Sequence, residues 1–230
     1  MLAENGRQWK SDSTPCTCCS GGFAQGSTVG YHVNVKERKV KMSENKTHEY
    51  WINKWLEGKT SFHSEKMHIS LEKHLDKFIA GRTGIKMFFP LCGKTVDMRL
   101  LADQGHYVVG VDIAEQAFQE FFIDQNLEYT EEPLKNVDGK LFKSMDGRIK
   151  LYCMDFYLFT KEMEGQFNAI WDRGSLVAIN IEDRIKYSQL IQEVMSPDCK
   201  YMVAAMQYDT SEYTGPPYNI LKIFKYPVTR

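Results

Sequence analysis

The chain has 230 residues, 43% apolar and 26% charged, an ordinary globular composition with enough length to bury a large core unaided. Its 29 basic and 30 acidic side chains give a formal net charge of -1, which argues against a broad nucleic-acid-binding face. No run approaches the roughly 20 apolar residues needed to span a bilayer, the first 25 residues lack the apolar stretch of a secretory signal, and six cysteines are too few for a disulfide scaffold. A single domain with free thiols, in the cytoplasm and off the membrane, is expected.

Residues 1–45 are polar and rich in Gly and Ser, and read as a disordered or variable tail with a little extended structure near Val29 to Val35. Met42 is a possible alternative start. From His48 the pattern changes. Trp51, Ile52, Trp55 and Leu56 form one helical face stopped by Gly58. A second helix is expected from about Ser64 to Ala80, on Met67, Leu71, Leu75, Phe78 and Ile79, with Gly81 at its C-terminal cap. Strands are then expected at Ile85 to Phe89, Tyr107 to Val111, Phe167 to Trp171 and Tyr201 to Met206. Helices are expected at Thr95 to Gln104, Ala114 to Asn126 and about Glu182 to Met195, and a hairpin pairs Leu141 to Lys143 with Arg148 to Cys153. This alternation, with continuous apolar strands, predicts an α/β fold: a doubly wound, mostly parallel sheet with helices on both faces.

In such sheets ligands bind beyond the carboxyl ends of the strands. Those ends are Pro90 to Lys94, Asp112-Ile113, Asp155-Phe156 and Asp172 to Gly174. Asp112 lies nineteen positions after Gly93, where a carboxylate can accept from both hydroxyls of a ribose; it is also a favoured N-cap residue for the next helix. Gly93 stands where a nucleotide-binding turn belongs, but the G-x-G-x-x-G set is absent. That disfavours a diphosphate cofactor and a nicotinamide oxidoreductase, and suits a phosphate-free ribose ligand such as S-adenosylmethionine. Gly93-Lys94-Thr95 imitates the end of a P-loop, yet the glycine required five positions earlier is Phe88. Trp51 and Trp55 are either a core stripe or a lid whose indoles pack on a sulfonium. Cys16, Cys18 and Cys19 have no second Cys or His pair at finger spacing, so no metal is expected. His68 and His74 are read as solvated, and there is no G-x-S-x-G elbow.

The segments from Trp51 to Phe62, Phe88 to Lys94, Trp171 to Gly174 and Gly215 to Tyr218 strongly resemble the thiopurine S-methyltransferase family, collinearly over about residues 48 to 219. The resemblance implies the Rossmann-like class I methyltransferase fold over residues 46–220, S-adenosylmethionine as donor and S-methylation of aromatic and heterocyclic thiols. It also implies a small-molecule acceptor and a monomer without nucleic acid. By position, Trp51, Trp55, Lys59 and Phe62 would cover the donor, and Phe62 would also touch the acceptor. Leu91 and Gly93 would line the methionine end, Asp112 would hold the ribose, Ile113 would pack on adenine, and Asp155 and Phe156 would sit at its edge. Around those last two, Cys153 to Leu158 departs from the family's usual small polar and Ile residues. Arg173 would lie near donor and acceptor sulfur, as the catalytic group favouring a thiolate; the plainer reading is an ion pair with Asp172 or Asp155. The resemblance stops near Ile220. The family continues with two more strands, whereas this chain closes on a divergent segment, 221–230, in which Leu221 to Tyr226 has room for one replacement strand. The alternative expectation is therefore a donor-binding chain with impaired catalysis, acting through association.

Overall fold

A computed structural model describes residues 46–220. The expected tail, the Cys16 to Cys19 cluster, Met42 and the 221–230 segment lie outside the described residues.

The first helix, α1 (His48–Leu56), starts where the Thr47 side chain accepts from the Tyr50 N–H at 3.3 Å, and Trp55 is its buried residue. The second, α2 (Ile69–Ile79), begins five residues later than the apolar spacing predicts. Ser64 bends its own segment by accepting from the Lys66 N–H, and the His68 ring then accepts from the Ser70 N–H to cap the helix. The helix ends on left-handed backbone at Ala80 and Gly81.

The alternating part follows as β1 (Lys86–Pro90), α3 (Asp97–Asp103), β2 (Tyr107–Asp112) and α4 (Glu115–Asp124). Next come β3 (Tyr129–Pro133), β4 (Lys140–Ser144), β5 (Ile149–Cys153) and the short α5 (Lys161–Glu164). The chain continues through β6 (Phe167–Arg173), α6 (Arg184–Val194) and β7 (Met195–Ala204). The sheet order is β3-β4-β5-β2-β1-β6-β7. The five strands from β5 to β7 run parallel, and β3 and β4 are antiparallel additions at one edge.

Strand alternation sorts the core into two layers. Met87 and Phe89 face Leu71, Phe78, Met98, Leu101 and Phe118 of α2, α3 and α4. Phe88 faces the other way, onto Phe159, Tyr187 and Ile191, the last two from α6. Helices therefore cover both faces, as the sequence pattern predicts. Gly110 in β2 makes the first layer thin: a Cβ there would stand 2.8 Å from Leu151 Cδ2 and 3.3 Å from Met98 Sδ.

Two strands differ from expectation. β3 was not foreseen because Thr130-Glu131-Glu132-Pro133 is exposed and polar, the chemistry of an edge strand. β7 starts at Met195 rather than Tyr201: Phe167 pairs with Met195 before an irregularity resets the ladder at Ala169 and Lys200. The turn-like Ser196-Pro197-Asp198 sits in that irregular stretch. No helix among the described residues is long and apolar enough to cross a membrane.

Candidate active site

The carboxyl ends of β1, β2 and β6 meet at one crevice. β1 ends at Pro90, and the chain turns through Leu91 (φ 42°) and Gly93 (φ 51°), both left-handed. A bulky residue such as Leu91 is rarely held there, and such outliers gather at functional sites. The Gly93 N–H donates to Asp112 Oδ2 at 2.8 Å, and the Ala114 N–H donates to Oδ1 at 3.1 Å. Asp112 thus ties the β1 turn to the start of α4. Each oxygen keeps a second lone pair for a ligand. Burial pushes its carboxyl above the usual range, while the Ala114 and Gly93 N–H groups pull it back.

A cleft of about 270 Å³ opens beside this turn, lined by Ile52, Trp55 and Leu56 of α1, by Ile113 to Gln116, and by Cys153 at the end of β5. Trp55, 3% exposed, forms its wall and also meets the Phe62 ring edge-on at 6.1 Å. The structure therefore brings Trp55, Phe62, Gly93, Asp112 and Ile113 to one place, with Leu91 at the adjoining turn.

Other expected residues stand apart. Trp51 packs edge-on against Tyr50, and exposed Lys59 pairs with Glu57 at 2.7 Å; neither lines the cleft. Phe156 stacks on Tyr187 at 5.2 Å and belongs to the core. Asp155 caps the turn that holds it by accepting from the Tyr157 N–H, and lies 3.6 Å from His48 Nε2. Lys94, the residue that imitates a P-loop lysine, bonds Glu120 and Asp124 and joins the β1 turn to α4.

Arg173 ends β6 on the other side of Gly93. Its Nη2 donates to the Phe62 carbonyl, fixing the segment that follows α1. Neither ion pair weighed from sequence forms. Asp172 instead accepts from Tyr187 and Tyr201 hydroxyls, both at 2.6 Å, and from the Leu176 N–H. Ser175 donates to the Pro90 carbonyl at 2.5 Å, clamping the loop after Arg173 to β1. Burial lowers the Arg173 pKa, and Asp97 opposes that shift.

Two residues here, Asp97 and His63, have no role in the sequence reading, and a third, His68, has a different one. Asp97, 1% exposed, accepts from Trp171 Nε1 at 2.8 Å and from the His68 N–H at 2.9 Å. His68, expected in solvent, caps α2 and packs on Trp171 at 5.5 Å. His63 lies against Trp55 at 5.2 Å and Phe62 at 4.9 Å, and neither ring nitrogen has a hydrogen-bond partner. Its position directly after Phe62 was the only available signal.

A family model described as Thiopurine S-methyltransferase matches residues 46–224. The chain is 50% identical over 169 residues to a probable thiopurine S-methyltransferase of Danio rerio, covering 73% of each. It is 44% identical over 185 residues to thiopurine S-methyltransferase of Mus musculus, covering 80% of this chain and 77% of that one. Among solved structures, a Burkholderia thailandensis 1,6-didemethyltoxoflavin-N1-methyltransferase with bound S-adenosylhomocysteine superposes with a TM-score of 0.50 at 14% identity. That superposition covers 70% of this chain and 62% of the bacterial one, and it speaks to fold alone.

Proposed function

Because the chain belongs to the thiopurine S-methyltransferase family, whose members are S-adenosylmethionine-dependent methyltransferases, we propose that it methylates the sulfur of aromatic and heterocyclic thiols, thiopurines among them. We place this activity in residues 46–220, acting as a cytoplasmic monomer on small molecules. The observation that carries the reading is the crevice itself: a buried carboxylate at Asp112, an apolar cleft under Trp55 and a guanidinium at Arg173, all around the Gly93 turn.

These residues fit an S-adenosylmethionine donor. The cleft walls are mostly apolar, with Glu115 and Gln116 as the polar exceptions, and Asp112 has lone pairs for ribose hydroxyls. His63 and Trp55 pack directly over Gly93, where a Cβ would stand 3.0 Å from Trp55 Cζ2, so the turn takes only glycine there. Trp55, Ile113 and Cys153 would hold the base, Asp112 the ribose, and Leu91 and Gly93 the methionine end. When bound, the donor supplies an activated methyl group on a sulfonium.

The chain's own part is positioning and charge. Arg173 sits at the crevice as a half-buried cation and favours the thiolate form of an acceptor beside it. Heterocyclic thiols ionise readily, so no strong base is needed. Buried Trp55 lines the cleft with apolar surface, which helps a reaction in which opposite charges annihilate. Alignment of the two sulfurs can supply about 7–11 kcal/mol in favourable systems.

The test follows methyl transfer and donor binding together, with labelled S-adenosylmethionine and a heterocyclic thiol. Transfer is expected, and Arg173→Ala is expected to lower kcat/KM by about tenfold or more with donor binding kept. Donor binding without transfer would favour the impaired donor-binding chain, and neither activity in a folded sample would reject the proposal.

A further inference from the structure

Among the described residues of the crevice, His63 is the one whose buried side-chain polar atoms have no hydrogen-bond partner at all. Both ring nitrogens are buried, and both lack a partner. An unpaired buried polar group costs roughly 1–3 kcal/mol, so a site that keeps one gains where a ligand meets it. The ring is held by three neighbours. Trp55 and Phe62 pack on it, and a Cβ placed on Gly93 would stand 2.6 Å from its Cε1. The backbone carbonyl just before it, that of Phe62, is the acceptor of Arg173. His63 thus lies between the turn assigned to the donor's methionine end and the guanidinium assigned to the acceptor's sulfur.

We infer that His63 is a specificity-determining residue for the acceptor, one ring N–H donating to a ring nitrogen of a heteroaromatic thiol whose sulfur lies at Arg173. The inference rests on the thiol methyltransferase reading above. A neutral imidazole offers one donor and one acceptor. Burial, with Arg173 and Lys94 nearby, lowers the His63 pKa to about 3, so the ring is neutral at physiological pH. It therefore adds no second positive charge beside a sulfonium, and it is too weak a base to deprotonate the thiol itself. A heteroaromatic thiolate carries lone pairs on its ring nitrogens, which match the N–H, whereas a carbocyclic thiolate has none to offer.

Two acceptors separate the effect: 6-mercaptopurine, with ring nitrogens, and thiophenol, without. In His63→Phe the ratio of kcat/KM for 6-mercaptopurine to kcat/KM for thiophenol is expected to fall about tenfold or more, any change in the Kd for S-adenosylhomocysteine acting on both thiols alike. His63→Gln, which keeps a donor and an acceptor, is expected to recover much of the loss. In the wild type with S-adenosylhomocysteine, the imidazole 15N resonances of His63 are expected to take hydrogen-bonded values with 6-mercaptopurine and not with thiophenol. Equal losses on both thiols or unchanged resonances would overturn the assignment while leaving the methyltransferase reading in place. A wild type that methylates neither thiol would remove both.

Discussion

A methyl group added at Gly93 would stand 2.6 Å from His63 Cε1 and 3.0 Å from Trp55 Cζ2, on backbone at φ 51°. Left-handed backbone costs an L side chain about 1–2 kcal/mol before any clash is counted. Gly93→Ala is therefore expected to destabilise by about 1–3 kcal/mol and to weaken S-adenosylhomocysteine binding by about tenfold or more, because either the indole or the imidazole must leave its place. Urea unfolding and calorimetric titration read the two effects, and unchanged affinity would show that the turn does not face the donor. At this scale the sequence was informative where a residue's position at a strand end is itself the signal. Gly93 and Asp112 stand out for that reason, and Arg173 is marked by the family resemblance. His63 does not stand out, because what marks it is contact with Gly93, Trp55 and Phe62 in space. The Phe156 side chain could not be placed from sequence either, since period two at the end of a strand does not say which way the next turn rolls.

At the scale of elements, Asp97 is the joint between three of them. It opens α3, holds the residue that caps α2 and accepts from Trp171 in β6. Asp97→Ala would leave the Trp171 and His68 N–H groups without partners in a buried place. The expected cost is about 2–4 kcal/mol by urea unfolding, and Asp97→Asn, which keeps an acceptor oxygen, is expected to cost less. Similar costs for the two variants would show that the lost charge, rather than the lost bonds, dominates. The joint was invisible in sequence because its partners are 74 positions apart. The buried strands were visible, since their apolar runs are continuous: β1, β2 and β6 were placed to within a residue or two. β3 and the start of β7 were not, because edge strands carry the polar residues and proline that local reading assigns to turns.

At the scale of the whole molecule, the sheet leaves β1 on one side toward β2 and is rejoined on the other by β6. That reversal opens the crevice and sets Asp112 and Arg173 on opposite sides of Gly93. The doubly wound topology was derivable from alternation and crossover handedness alone, and the edge hairpin was partly so. Stability carries the imprint of the same crevice. His63 is packed by Trp55 of α1, Phe62 and the Gly93 turn, and burial, with the charges of Arg173 and Lys94, lowers its pKa from 6.5 to about 3. The native state binds fewer protons there than the unfolded chain does. Its stabilising contribution is complete above pH 6.5 and is lost as pH falls toward 3. The stability of the wild type minus that of His63→Phe is expected to fall by up to about 1.4 kcal/mol per pH unit across that window, measured by urea unfolding; a flat difference would show that the ring is solvated.

The tie between Trp171 and Asp97 also has an optical side. The Trp171 indole is 1% exposed, and its N–H is bonded to a buried carboxylate; the Trp55 indole instead forms a wall of the cleft. One chromophore is sealed from arriving molecules and the other stands in their path. With Trp9 and Trp51, the other two of the four tryptophans, replaced by Phe, light from Trp55 is expected to respond to a ligand while light from Trp171 tracks the integrity of the core.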